Sequence, residues 1–401
     1  MLKALLSHHL WLALILLIML AACSAASPEI VPTPSATVVP DVTVCAEGCD
    51  FSTIQAAIDA ATVAPGAIIG VQDAVHTEAG ILIHKPVTIQ GQGADHTIVQ
   101  AHAVLDEATD RVFSVARGIT VTLRAMTIRH GNPRKSPESG GGILNEGSLL
   151  IEGSVITANS GSAGGGIHND GTLTLINCTV SENIARGGGD SFYECSTGGG
   201  IKDMEGTITL LNSAVIHNSA EGKGGGIHVA CKGILNLTNS TVSGNTTNDD
   251  GGGIYLDGIG HLIHATISAN TAKTGGGIYV DGSGEHDLIR GQLNYTNTLI
   301  TGNAARMEKY GVADCKLGDH SSINANSYNL VGDGTCLPAL SGDPLLAPLA
   351  SDEGHSSTHA LLPNSPAIDA VPSEYCVLTI DQWGLPRTDS CDIGAFEVQA
   401  Q

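Results

Sequence analysis

Short stretches in which apolar and polar residues alternate recur along most of this chain. Leu173 and Leu175 flank one threonine, and Ile208 and Leu210 flank another. Alternation with a period of two is typical of strands that bury one face. Glycine and asparagine separate these stretches, so the pattern predicts many short strands joined by tight turns.

A GGGI phrase marks the period of this pattern. It occurs six times, and its isoleucines are separated by 24, 34, 26, 27 and 24 residues. A recurrence of this length is the signature of stacked supersecondary units. The isoleucines are Ile143, Ile167, Ile201, Ile227, Ile254 and Ile278.

Each GGGI is followed by a segment that closes on an asparagine. Three residues before that asparagine stands Ile or Val, both of which favour strands. Five before it stands a small residue, and six before it mostly Asn, which tolerates left-handed backbone at a corner. The closing asparagines are Asn159, Asn183, Asn218, Asn245, Asn270 and Asn303.

The repeat length restricts the architecture. About 25 residues allow two or three strands but no crossover helix, and a propeller blade would need about 40. Leucine-rich and helical repeats need helical faces that are missing from this sequence. The predicted fold class is therefore all-β, a right-handed parallel β-helix: a single-stranded solenoid of about ten coils, stacked about 4.8 Å apart.

An N-terminal cap helix is predicted at 51–61 (FSTIQAAIDAA). Ile54, Ala57 and Ile58 would share one helical face, with Ser52 as the candidate N-cap. Such a helix would cover the first coil, because a terminal repeat must not leave its core exposed.

The start of the chain has the pattern of an export signal. Lys3 precedes an apolar run too short for a comfortable membrane span, and small residues precede Cys23. Leu-Ala-Ala-Cys resembles the bacterial lipoprotein box, which implies lipidation of Cys23 and anchoring at the extracellular face of a bacterial membrane. A plain signal peptide with a chance cysteine is the alternative. The predicted domains are the signal peptide 1–22, the lipidated cysteine and flexible tether 23–44, the β-helix 45–345 and a C-terminal cap 346–401.

Nine cysteines follow Cys23, and an exported chain can keep disulfides. Cys178 stands in the small-residue column, where a buried apolar role is expected. Neighbours in sequence or in adjacent coils are the candidate partners, although the sequence leaves the connectivity open. The candidate pairs are Cys45–Cys49, Cys195–Cys231, Cys315–Cys336 and Cys376–Cys391.

The charge balance limits the partners. Forty acidic residues against 18 basic ones give a formal net charge of −22, whereas binding of nucleic acid needs concentrated Lys and Arg. Acidity of this size mainly aids solubility at a surface. We expect a monomer that touches a membrane only through its N-terminal lipid.

Two resemblances follow from the motifs. The cap helix, PVTIQGQG and the coil columns resemble the pectin-lyase-like family over residues 45–345. LLPNSPAIDAV (361–371), DQWGLPR (381–387) and CDIGAFE (391–397) resemble the end of the choice-of-anchor Q domain, a bacterial surface family of undefined activity. Val371 and Trp383 stand where that family usually shows Gly and Arg. The resemblance implies that 361–397 return to the array and cover its last coil.

The residue after each GGGI forms a column that should point away from the core. Its rings and donors could stack on and bond to an extended glycan, although exposed Tyr and His are also common on strand surfaces. Acids two positions further, at Glu146, Asp170, Asp257 and Asp281, precede glycine and are expected to be turn residues. The column is Leu144, His168, Lys202, His228, Tyr255 and Tyr279, of which all but Leu144 are ligand-binding candidates.

Two loops are further candidates. Loop 184–197 breaks the repeat length and holds Phe192 and Tyr193, so it is a natural place for a grafted function. Asp249 and Asp250 could hold Ca²⁺, which prefers several oxygen ligands, or could be a solvated acidic loop.

Catalytic motifs are missing from the sequence. No HExxH, GxSxG or P-loop occurs. The pectin-lyase-like resemblance implies a groove with calcium-binding Asp and an Arg or Lys base, or an Asp cluster, yet Lys202 and Arg290 have no obvious acidic partner. The leading hypothesis is a non-catalytic, cell-surface β-helix for adhesion or glycan binding, with no cofactor unless Ca²⁺ is held. The alternatives are a polysaccharide lyase or glycoside hydrolase acting on acidic polysaccharides, and a structural spacer.

Overall fold

The computed structural model describes residues 39–60, 62–134, 139–187, 197–230, 232–282, 291–307, 313–352 and 354–399. Predictions for several residues lie outside the described residues and stay predictions. These are Cys23, Phe192, Tyr193, Cys195, Cys231 and Arg290.

Parallel pairing between successive coils builds four sheets. The coil that begins at Ile201 passes through Ile201–Asp203, Thr207–Leu211, Ala214–Ile216 and Ser219–Ala220. Each strand then pairs in register with its copy one coil further on. The predicted right-handed parallel β-helix is therefore confirmed.

The strands are grouped by sheet, in spatial order. The first sheet is Val42–Val44, Ile68–Val71, Val87–Gln90, Thr120–Arg124, Ser148–Glu152, Thr172–Ile176, Thr207–Leu211, Ile234–Thr238, Ile259–Ile263, Gln292–Thr296 and Ser322–Ser327. The GGGI sheet is Ile81–Ile83, Phe113–Val115, Ile143–Asn145, Ile167–Asn169, Ile201–Asp203, Ile227–Val229, Ile254–Leu256, Ile278–Val280 and Cys315–Leu317. The third sheet is Val75–Thr77, Ile98–Gln100, Thr127–Arg129, Val155–Thr157, Thr179–Ser181, Ala214–Ile216, Thr241–Ser243, Thr266–Ser268, Leu299–Thr301, Leu330–Val331 and Leu340–Ser341. The short-strand sheet is Ser160–Gly161, Ile184–Ala185, Ser219–Ala220, Thr246–Thr247, Thr271–Ala272 and Ala304–Ala305.

The predicted cap helix forms as α1 (Ile54–Asp59), shorter than the predicted 51–61. Its N-cap is Thr53 and not Ser52, because Thr53 has the extended backbone and its hydroxyl accepts from the Ala56 amide at 3.1 Å. The apolar face of α1 is buried in the main core, as its spacing predicted. A 3-10 turn lies at Ser373–Tyr375.

Each glycine of a GGGI triplet stands where a side chain would be strained or would clash. Gly224 has φ +72°, a left-handed conformation. A Cβ on Gly225 would lie 2.4 Å from the Gly252 carbonyl oxygen of the next coil. A Cβ on Gly226 would lie 2.6 Å from the Gly253 carbonyl oxygen of the next coil and 3.0 Å from the side-chain amide of Asn245. The triplet therefore serves the backbone turn, the contact between coils and the space for the closing asparagine.

The closing asparagines form a buried ladder. Each side-chain amide donates to the next one along the axis, and Asn303 ends the series by donating to Asp314 Oδ1 at 2.9 Å. The corner column six residues earlier has φ between 44° and 53°, as predicted for left-handed turns. That column is Gly153, Asn177, Asn212, Asn239, His264 and Asn297.

Three of the candidate disulfides form. They are Cys45–Cys49, Cys315–Cys336 and Cys376–Cys391. Cys178 is a free, buried cysteine, and burial raises the pKa of its thiol to about 12. It therefore behaves as the apolar filler predicted for the small-residue column.

The C-terminal tail packs along the side of the array. Ser356 Oγ donates to the Asn212 carbonyl at 2.8 Å, and the Gly394 amide donates to the Asn297 carbonyl at 2.9 Å. Val371 and Ile393 bury against Leu330 of the third sheet. The polar and apolar partners of the tail are thus spread over several successive coils, from that of Asn212 to that of Leu330.

Candidate functional site

The column after the GGGI isoleucines is continuous along the GGGI sheet. Its members pair in register and alternate with core isoleucines, so their side chains point away from the core. The register adds Lys316 after Tyr279. Sequence reasoning missed Lys316 because its coil lacks a GGGI phrase, although Cys315-Lys316-Leu317 repeats the apolar–polar–apolar pattern.

Most side chains of this column are buried, whereas the sequence suggested a row of solvent-exposed rings and hydrogen-bond donors. His168 is 8 % exposed, Lys202 0 %, His228 2 % and Tyr255 2 %. Tyr279 is only partly buried. Leu144 and Lys316 are partly buried as well, so a ligand from solvent would meet an aromatic ring of the column at Tyr279.

Tyr255 is the centre of a compact network. Its ring stacks on Tyr279, with centroids 5.4 Å apart and planes 8° from parallel, and meets the edge of His228 at 4.9 Å. Lys223 Nζ donates to Tyr255 OH at 2.7 Å and lies 4.5 Å from the ring centroid. Tyr255 OH donates in turn to Asp281. We call Lys223, His228, Tyr255, Tyr279 and Asp281 the Tyr255 cluster.

The electrostatics keep the rings of the cluster neutral. Burial, followed by the hydrogen bond to Asp281, raises the pKa of Tyr255. Burial, followed by the charge of Asp281, raises the pKa of Tyr279 to about 12. Burial, followed by Lys202 and Lys223, holds the pKa of His228 well below its ordinary value. The rings of the cluster therefore offer uncharged, apolar faces.

An acidic pair flanks the cluster because the loops before successive GGGI phrases stack. Lys223, Asp250 and Thr274 each stand directly before a triplet. Thr274 Oγ1 donates to Asp250 Oδ1 at 2.6 Å, and Lys273 Nζ lies 3.8 Å from Asp249 Oδ1. Burial, offset in part by the Thr274 hydrogen bond, raises the pKa of Asp250.

No further acidic, histidine or cysteine side chain of the described residues joins Asp249 and Asp250 to complete a calcium site. Within the described ranges, no three or more His, Cys, Asp or Glu side chains are grouped so as to hold a metal ion. Ca²⁺ takes about 6–8 oxygen ligands, whereas the two carboxylates here face a lysine and a threonine. The pair fits a hydrogen-bonded polar rim better than a calcium site.

Two of the acids expected to be turn residues have other roles. Asp281 is 8 % exposed and accepts from Tyr255. His168 Nε2 lies 3.1 Å from Asp170 Oδ1, and this contact lowers the pKa of Asp170. The sequence could have indicated these contacts, because each acid stands two residues after a member of the column and therefore lies on the same outer face.

Comparisons with known proteins detect a repeat family and similar solved structures. The Chlamydia polymorphic membrane protein repeat family matches residues 239–257, about one coil of this chain. A pectate lyase, Pel9A, superposes with a TM-score of 0.51 at 13% identity over 86% of this chain and 91% of that one. A pectin methylesterase from carrot gives a TM-score of 0.39 at 14% identity over 73% and 91%. No curated protein matches significantly.

Together the four parallel sheets and the likeness to the pectate lyase establish a right-handed parallel β-helix. At 13% identity, the likeness to the pectate lyase concerns the fold alone. Within the described part of the chain, no helix is long and apolar enough to cross a membrane.

Proposed function

We propose that this protein is a cell-surface β-helix that binds a polysaccharide at the Tyr255 cluster. The observation that carries the proposal is the stacked Tyr255–Tyr279 pair, held between Lys223 and Asp281 on the outer face of the GGGI sheet. Sugars present apolar ring faces and hydroxyl groups, which aromatic rings and charged hydrogen-bonding groups recognise together.

The cluster is suited to binding because it is fixed before a ligand arrives. Tyr255 is clamped by two hydrogen bonds and two ring contacts. Lys223 retains donors beyond the one given to Tyr255, since an ammonium group has three. A preorganised site loses less conformational entropy on binding. Tyr279 and Lys223 would then contact the ligand, and Tyr255 and Asp281 would position them.

Replacement of Tyr279 tests the proposal. Tyr279→Ala should weaken binding to a responsive polysaccharide about fivefold, because aromatic stacking contributes about 1 kcal/mol beyond area burial. Tyr375→Ala is the matched control, since Tyr375 is also a partly exposed tyrosine that contacts a second one, Tyr328. Equal affinities of both variants and wild type on a glycan array and on cell-wall fractions would refute glycan binding at this cluster.

A second candidate function is cleavage of an acidic polysaccharide. It is favoured by two contacts that place a lysine beside a carboxylate of another coil. Lys273 approaches Asp249, and Lys223 approaches Asp281. The fold likeness to a pectate lyase is compatible with it. Polyuronates incubated with the protein, with and without Ca²⁺, should then yield unsaturated products. Lys223→Met and Lys273→Met should abolish them, and an absence of products across a broad panel would exclude the activity.

The cell-surface location is part of the same proposal. It is supported by Leu-Ala-Ala-Cys23 and by the tail motifs that resemble the choice-of-anchor Q segment. Metabolic labelling with a fatty acid should mark the wild-type chain but not Cys23→Ser in a bacterial host. Labelling of both, or of neither, would contradict lipidation at Cys23.

A further inference from the structure

Trp383 is an unusual residue in this chain. The sequence holds two tryptophans and only 3% aromatic residues, and the other tryptophan is Trp11. Trp383 is only partly buried and belongs to the tail. The tail packs on the third sheet, where Thr241 and Thr266 bond to Gln382 and Ala395, whereas the Tyr255 cluster lies on the GGGI sheet. An accessible indole outside the main core needs a reason, because aromatic side chains gain most when they are buried.

The indole is held in one orientation. Its Nε1 donates to the Ser356 carbonyl at 2.9 Å, and its backbone amide donates to Asp381 Oδ1 at 2.9 Å. The Phe396 ring meets it edge-on, at 5.3 Å and 90°. Ser356 is itself anchored to the array through Asn212. The ring is therefore rigid, which lowers the entropic cost of stacking a ligand on it.

The rings next to the indole also reach solvent. Phe396, like Trp383, is only partly buried. His355 is exposed, with its ring centroid 6.2 Å from that of Trp383. Trp383, Phe396 and His355 thus form a shallow aromatic surface, which we call the Trp383 platform.

We propose that the Trp383 platform is a second carbohydrate-binding site, which takes a pyranose ring of a neutral polysaccharide. Three ring side chains cover far less than the roughly 800 Å² per partner of a standard protein interface, but they match one sugar ring. The cation of this region, Arg387, is 1% exposed and paired with Glu397, so a uronate would find no accessible positive charge here. The proposal does not depend on the function of the Tyr255 cluster.

Fluorescence offers a direct test, because Trp11→Phe in the full chain leaves Trp383 as its only tryptophan. Titration with gluco-, manno-, xylo- and chito-oligosaccharides should shift its emission to shorter wavelength in a saturable way with at least one of them. Oligogalacturonides should not shift it. In the same background, Tyr279→Ala should leave the response unchanged, which separates this site from the Tyr255 cluster.

Retention on the insoluble form of the responsive polysaccharide gives a second measurement. Trp383→Ala should bind at least about tenfold more weakly, as expected for an anchoring tryptophan, and Trp383→Tyr should retain part of the binding. Val377→Ala, an exposed tail residue, is the control. Thermal melting identifies a variant whose tail has unfolded. An unchanged emission with every neutral sugar, or a response to oligogalacturonides alone, would overturn the proposal.

Discussion

The asparagine ladder makes a sharp prediction about stability, and Asn245 is its clearest member. The side chain is fully buried. Its Oδ1 accepts from the backbone amide of Asn218 at 2.9 Å and from Asn218 Nδ2 at 3.0 Å. Its Nδ2 donates to the Val215 carbonyl and to Asn270 Oδ1, both at 2.9 Å. One amide therefore joins three successive coils.

Asn245→Ala would remove all four hydrogen bonds and bury their former partners without replacement. Each typical bond contributes about 1 kcal/mol net, so the free energy of unfolding should fall by about 4 kcal/mol. The remaining cavity adds to this loss. Asn236→Ala is the matched control in the same coil, because Asn236 lies on the outer face and makes one long contact, to Thr209 at 3.4 Å. Its cost should stay below about 0.5 kcal/mol.

Urea denaturation followed by circular dichroism would measure both variants. The midpoint of Asn245→Ala should fall well below that of wild type, and Asn236→Ala should coincide with wild type. Neighbouring coils stabilise one another in a solenoid, so the loss should affect the unfolding of the whole array. If Asn245→Ala lost no more stability than Asn236→Ala, the ladder would be a consequence of the fold and not a source of its stability.

Two further predictions concern buried charges. Burial raises the pKa of Asp203 to about 6, so the stability from its neutral form is full below about pH 4 and is lost as pH rises through about 6. Asn145 Nδ2 donates to Asn169 Oδ1, and Asn169 Nδ2 donates to Asp203 Oδ1, both at 2.6 Å, so an asparagine at 203 would continue a series of buried amides. Asp203→Asn should therefore be more stable than wild type at pH 8, by up to about 3 kcal/mol, and equally stable at pH 4. An equal difference at both pH values would contradict this. Arg387 and Glu397 form an ion pair with both side chains 1% exposed, and Arg387→Met should cost about 3–5 kcal/mol by leaving a buried carboxylate unpaired. Limited proteolysis of Arg387→Met should then release the tail first, while Arg306→Met, at an exposed position, should behave as wild type. A protected tail in Arg387→Met would show that the Arg387–Glu397 pair does not hold the tail in place.

The fold could be predicted because its determinants repeat. Six successive coils carry the same glycine triplet, core isoleucine, small residue and closing asparagine, so each position is specified several times over. The sheet register also followed, since a slip of one residue would turn the core isoleucines outward. Burial of Cys178 and the three described disulfides agree with the same columns.

The Tyr255 cluster could be predicted only in part. Alternation placed Tyr255 and Tyr279 outside the core, but it does not specify which loop side chains fold over a strand face. Lys223 comes from a loop one coil earlier, and Asp281 from the end of the strand one coil later. Such a contact depends on loop conformation, which leaves no periodic signal. Acids before glycine therefore suggested turns, although Asp281 is a hydrogen-bond partner.

The asparagines of the corner column also bind the tail, a second role that the sequence pattern does not reveal. Asn at these corners was expected because the left-handed turn requires it, yet the same side chains also bind the tail. Asn239 Nδ2 donates to the Ile380 carbonyl, and its Oδ1 accepts from Arg387. Asn297 Nδ2 donates to the Tyr375 carbonyl. The corner asparagines therefore fix where the tail lies along the array. The left-handed turn alone already explained the asparagine pattern, so the sequence contained no sign of the hydrogen bonds to the tail.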